Sequence, residues 1–84
     1  MKTTQPKKIY VRTLANGKTS FGEYIRAKWN NVCEPFNLAH DFNGANEMLN
    51  TIKAYTQRTG RKVEFVAYDS TDLNPIRALF KSVL

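Results

Sequence analysis

Cys33 and His40 stand seven residues apart and are the only cysteine and the only histidine in the chain. A histidine beside a thiol can take its proton and leave a nucleophilic thiolate. The surrounding pattern argues against that use. In Phe36-Asn37-Leu38-Ala39-His40-Asp41-Phe42, residues 36, 38, 40 and 42 alternate onto one strand face, where a hydrogen-bonded core or interface histidine is the ordinary outcome. A zinc site needs three or four ligands at characteristic spacing, and Cys33, Glu34, His40 and Asp41 do not have it. Asp69-Ser70-Thr71-Asp72 could hold magnesium, but these residue types also bond their own backbone in turns, and the turn is the simpler reading. No phosphate-binding P-loop, dinucleotide-binding glycine motif or nucleophile elbow occurs. The sequence therefore predicts neither an enzyme nor a cofactor.

Binding chemistry is better represented. The net charge is +6, and all of it comes from residues 1–33, where Lys2, Lys7, Lys8, Arg12, Lys18, Arg26 and Lys28 face Glu23 alone. Beyond residue 33, cations and anions cancel. Such segregation creates a local positive field, although a solubilising surface is the plain alternative. If residues 19–32 form a strand, Tyr24, Arg26 and Lys28 share a face, with Lys7, Lys8, Arg12 and Lys18 nearby. Cations neutralise phosphates and an aromatic face can stack a base, so a nucleic acid is the expected partner. RNA is favoured over DNA because it offers unstacked bases. Arg58, Arg61 and Lys62 form a second cluster, which is either phosphate-binding or compensation of a helix dipole.

The elements that must carry these residues are legible in part. Residues 1–7 read as a flexible basic tail preceding a single domain over 8–84. Lys8–Leu14 suits a strand, and Asn16-Gly17 is a two-residue hairpin signal. Residues 19–32 fit a second hairpin strand. The alternative is a helix at about 20–33, opened by a Ser20–Glu23 capping box and striped by Phe21, Tyr24, Ile25, Trp29 and Val32. Gly22 in its first turn and Lys28 in its stripe count against the helix, so the hairpin is preferred. Residues 36–42 read as a strand. Ala45–Thr59 is the clearest helix, with Asn43 as N-cap, Glu47 and Arg58 matched to its dipole, and Gly60 as left-handed C-cap. Arg61–Tyr68 is a further strand. Asn74-Pro75 opens a final helix whose Ile76, Leu79, Phe80 and Val83 dock on the core.

The predicted class is thus α+β, a small mostly antiparallel sheet in chain order β-β-β-α-β-α with two helices on one face. The alternative helix would make it β-α-β-α-β-α. Strands 36–42 and 62–68 are expected to form a parallel crossover around the long helix. At 84 residues the chain buries only about 60–65% of its unfolded surface. No disulfide is available, so a homodimer is an expected way to cover the remaining sheet face. The lone thiol and the absence of a signal peptide or membrane-spanning run point to the cytoplasm.

The compact basic chain and its junction His40-Asp41-Phe42-Asn43-Gly44-Ala45-Asn46-Glu47-Met48-Leu49 resemble many short accessory proteins of tailed bacteriophages, which commonly shut off or shield against host machinery. In size and basic character the chain is similar to inhibitors, found in T-even phages, of the RNA-cleaving toxins of toxin–antitoxin systems; those inhibitors work together with RNA. The likeness lies in size, charge and general pattern and carries over no functional residue. It implies a phage-encoded inhibitor or modulator of a host nucleic-acid-processing factor such as a toxin ribonuclease, acting in the host cytoplasm. The alternative is an inhibitor or adaptor that contacts an acidic host protein without nucleic acid.

Overall fold

The computed structural model describes residues 5–84. Strand β1 (Lys7–Thr13) runs antiparallel to β2 (Thr19–Ile25), which runs antiparallel to β3 (Lys28–Asn31). Helix α1 (Phe42–Thr59) follows, then β4 (Val63–Ala67), α2 (Asn74–Leu79) and a closing 3₁₀ turn at Lys81–Val83. The class is α+β in the chain order β-β-β-α-β-α. The sheet is mixed, in spatial order β3-β2-β1-β4, because β4 pairs parallel to β1.

Each hairpin turn has its own chemistry. Between β1 and β2, the Leu14 N–H still donates to the Lys18 carbonyl at 2.9 Å, so the loop proper is Ala15-Asn16-Gly17. Gly17 takes φ 82°, as a three-residue loop with a left-handed residue requires. The expected two-residue turn is therefore one residue longer. The true two-residue turn lies between β2 and β3, where Arg26 and Ala27 sit at φ 54° and 65°. Positive φ at both central positions is the type I′ pattern, whose twist matches the flanking strands. Residues 19–32 are thus two short strands, not one long strand and not a helix at about 20–33.

Period-two alternation sends Ile9 and Val11 of β1, Phe21 of β2, and Val63 and Phe65 of β4 to one face, where all are buried. Phe21 is the hub. Its ring stacks on Phe36 at 5.5 Å and meets Phe65 and Phe80 edge-on at 5.7 and 5.6 Å. Helix α1 lays Ala45, Met48 and Ile52 over this face, and the C-terminal segment adds Ile76, Phe80 and Val83. Full burial of each large apolar side chain contributes roughly 1.5–3 kcal/mol before entropy costs. Gly60 closes α1 at φ 71°, donating to the Thr56 carbonyl at 2.8 Å, as its left-handed cap role requires.

The segment 36–42 is not a strand. Phe36 alone makes a bridge, to Thr19, and residues 38–40 form a turn. His40 is exposed, and Phe42, 77% exposed, is the first residue of α1. The cap of α1 is Asp41, whose Oδ1 accepts the Gly44 N–H at 2.8 Å, and not Asn43. With the helix starting earlier, Glu47 falls in its second turn. The parallel pair is consequently β1–β4 and not 36–42 with 62–68. At α2 the chain enters one residue earlier than expected, with Leu73 at the cap position and Asp72 accepting the Asn74 N–H at 3.0 Å. Leu79 stays 39% exposed. Of the tail, residues 1–4 lie outside the described residues; Lys7 already belongs to β1, and the Gln5 carbonyl accepts from Arg61 Nε at 2.8 Å.

Candidate nucleic-acid interface

The helices cover one sheet face and leave the other open. On the open face the alternation that buries Ile9 and Val11 presents Tyr10 and Arg12 from β1, Tyr24 from β2 and Trp29 from β3, and Tyr68 joins them just beyond β4. These side chains form one cluster. Tyr24 meets Tyr10, Trp29 and Tyr68 at centroid distances of 5.3, 5.4 and 5.6 Å. Trp29 lies 5.6 Å from Tyr68. Edge-on and tilted contacts of this kind suit the ring quadrupoles.

Trp29 is fixed from several sides. It lies across β2 where Gly22 provides no side chain. Its Nε1 donates to Asn31 Oδ1 at 2.7 Å, and the same oxygen accepts from Ser20 Oγ at 3.2 Å. The Arg12 guanidinium sits 4.2 Å from the Trp29 ring and 6.0 Å from Tyr68, a cation–π arrangement. Arg12 Nε is buried without a hydrogen-bond partner, and no carboxylate pairs with this guanidinium among the described residues. The rings left available for stacking are Tyr24 and Tyr68, 37% and 52% exposed. Partial loss of water around its hydroxyl, followed by the neighbouring Tyr68 hydroxyl, pushes Tyr24 up to about 12. Like any tyrosine, it is neutral near pH 7 and does not repel phosphate.

The cations are sorted by register. Parallel pairing sets Lys7 beside Val63 and Lys8 beside Glu64, which brings Arg61 and Lys62 to the start of β1. Continuing the antiparallel register places the Arg26-Ala27 turn and Lys28 at this same end. The last turn of α1 arrives there too, with Lys7 Nζ 5.4 Å and Arg58 Cζ 5.9 Å from the Tyr55 ring. Six of the expected contact residues, Lys7, Arg26, Lys28, Arg58, Arg61 and Lys62, thus converge on one end of the sheet, so that the two clusters read separately in the sequence form one. Among the described residues the only ion pair is Lys7–Glu23, at 2.5 Å. Lys8 and Arg12 continue the charge along the open face.

Lys18 does not join them: it lies in the loop at the opposite end. Arg26 and Lys28 do not flank Tyr24 on one strand either, because the turn separates them. Tyr10, Trp29 and Tyr68 were absent from the expected set. The alternation of Tyr10 and Arg12 with Ile9 and Val11 was the available signal for the first.

At the opposite end, beside Lys18, lies the 69–72 segment. There Asp69 Oδ2 accepts the Thr13 N–H at 3.3 Å and Oδ1 accepts the Thr71 N–H at 2.9 Å and its hydroxyl. The Thr71 hydrogen bonds hold this carboxyl below its ordinary value. The 69–72 cluster is therefore a self-bonded turn. Cys33 packs on Met48, Sγ to Sδ 3.4 Å. Burial, followed by the charges of Glu47 and Glu34, pushes its thiol up to about 11, away from a thiolate. No group of three metal-ligating side chains occurs among the described residues, and no helix there is long and apolar enough to cross a membrane.

Compared with protein-family models, curated proteins and solved structures, the chain matches none.

Proposed function

We propose that the protein binds single-stranded nucleic acid, RNA in preference to DNA, on its open sheet face. The observation that carries this reading is the continuity of two surfaces: a rigid aromatic cluster with Tyr24 and Tyr68 exposed, and the cation-rich sheet end beside it. Bases stack on the tyrosines while phosphates follow Lys8, Arg12 and the basic end. Nothing in the cluster resembles a base-reading hydrogen-bond pattern, so selection is by strandedness and not by sequence. In the cell this binding serves an inhibitor or modulator of a host nucleic-acid-processing factor such as a toxin ribonuclease, in keeping with the likeness to phage accessory proteins. A second copy stacked on the same face would cover the tyrosines, so dimer formation through that face would compete with RNA.

The test is titration of a labelled single-stranded RNA and of its duplex at low salt. The single strand should bind more tightly. Tyr24→Ala and Tyr68→Ala should each weaken it by about 1–3 kcal/mol, the usual worth of one stacked base. Equal affinity for the duplex, with no effect of either substitution, would contradict the reading. A second reading, direct binding of an acidic protein, is favoured by one feature: β3 is an edge strand with its outer backbone free to pair with a partner strand. A partner captured from lysate that survives nuclease treatment would support it.

A further inference from the structure

Between the C-terminal half of α1 and the sheet, at the basic end, lies a cleft of about 470 Å³. That is within the roughly 300–1,000 Å³ range of small-ligand sites. Its floor is apolar, formed by Ile52 and Val63, 1% and 4% exposed. Its rim carries Lys7, Glu23, Tyr55 and Arg58. The two cations approach the same tyrosine ring, Lys7 Nζ at 5.4 Å and Arg58 Cζ at 5.9 Å. This is an aromatic wall with an apolar floor and two cations beside it. The open-face aromatic cluster lies on the other side of the sheet.

We infer that this cleft binds the terminal nucleotide of a strand through its phosphomonoester, with the phosphate on Lys7 and Arg58 and the base or ribose against Tyr55. The inference rests on the proposed binding of single strands and adds a second, end-specific contact to it. Charge sets the choice of a chain end. A phosphomonoester carries about −1.5 to −2 at pH 7 and uses both cations, whereas an internal phosphodiester carries a single charge. Glu23 now holds Lys7 at 2.5 Å, so an entering phosphate must compete with its carboxylate. Glu23 thus weakens phosphate binding in the resting site, and Glu23→Gln should strengthen it.

The experiment compares octamers of one RNA sequence bearing a 5′-phosphate, a 3′-phosphate or no terminal phosphate, by fluorescence anisotropy at low salt. One of the phosphorylated octamers should bind at least about fivefold tighter than the unphosphorylated one, and the arm that does so identifies the end recognised. Arg58→Gln, which also removes one cation from the basic end, should abolish that difference by weakening the phosphorylated octamer at least about fivefold more than the unphosphorylated one. Glu23→Gln should enlarge the difference. Equal binding of all three octamers would overturn the inference and leave the single-strand reading standing. So would an equal loss for every octamer in Arg58→Gln, which would mark Arg58 as a general phosphate contact. Failure of every octamer to bind would remove both.

Discussion

Trp29 lies so close over Gly22 that a Cβ at position 22 would fall 2.4 Å from its Cε2 and 2.7 Å from its Nε1. Gly22 is therefore needed for close approach: β2 gives up a side chain so that an indole from β3 can lie across it and reach Arg12 on β1. The whole open-face cluster depends on that seat. Gly22→Ala should displace the ring, costing about 1–3 kcal/mol as an overpacking change. Chemical denaturation should show a lower midpoint, and the emission of Trp29, the only tryptophan, should shift in the folded state. An unchanged midpoint and spectrum would mean that the indole does not occupy that seat.

The Arg26-Ala27 turn holds two non-glycine residues at positive φ. A left-handed L-residue costs roughly 1–2 kcal/mol, part of which glycine returns as unfolded-chain entropy. Ala27→Gly should therefore stabilise the fold by about 0.5–1 kcal/mol, read as a higher denaturation midpoint at unchanged slope. A loss of stability would place Ala27 outside the left-handed region.

Cys33 should behave as a half-buried, protonated thiol. At pH 8 its alkylation in the folded protein should run at least about tenfold slower than in urea, because thiolate is the reacting species. The pH dependence has a definite sign. The folded thiol keeps its proton up to about 11 against an ordinary 9.0, so the folded state binds more protons in that window. The stabilisation is complete below pH 9 and is lost as the pH rises through about 11. The stability gap between the native protein and Cys33→Ala should accordingly narrow between pH 8 and pH 11. A gap that widened would reverse the assignment.

The parts of the fold that were legible in the sequence are those governed by local periodicity. Ala45, Met48 and Ile52 at three- and four-residue steps revealed α1, and Gly60 marked its end. Alternation in β1 separated Ile9 and Val11 from Tyr10 and Arg12. Two features misled. Alternation over 36–42 imitated a strand, although only Phe36 is fully buried and Leu38 packs part-buried against the core, and a capping aspartate followed by an exposed Phe42 satisfies the same pattern by starting a helix. The turn at Arg26-Ala27 carries neither glycine nor asparagine, so nothing local announces it; the strand pairing on either side imposes it. That hidden turn also reversed the apparent face of Trp29, which a continuous strand would set opposite Tyr24. The basic end was illegible for a different reason: it exists because β4 pairs with β1 across more than fifty residues of chain, and such contacts leave no mark in local spacing.

The claim that single strands bind on the aromatic face is tested most directly by the emission of Trp29 during titration with a single-stranded RNA oligomer. Stacking on Tyr24 and Tyr68 changes the surroundings of the indole packed against both. Saturable quenching or a wavelength shift should therefore track binding and should disappear in Tyr24→Ala/Tyr68→Ala. The apparent affinity should fall linearly in log–log form as salt is added. RNA that binds at these concentrations without altering Trp29 emission, or that fails to bind at micromolar protein in low salt, would contradict the account.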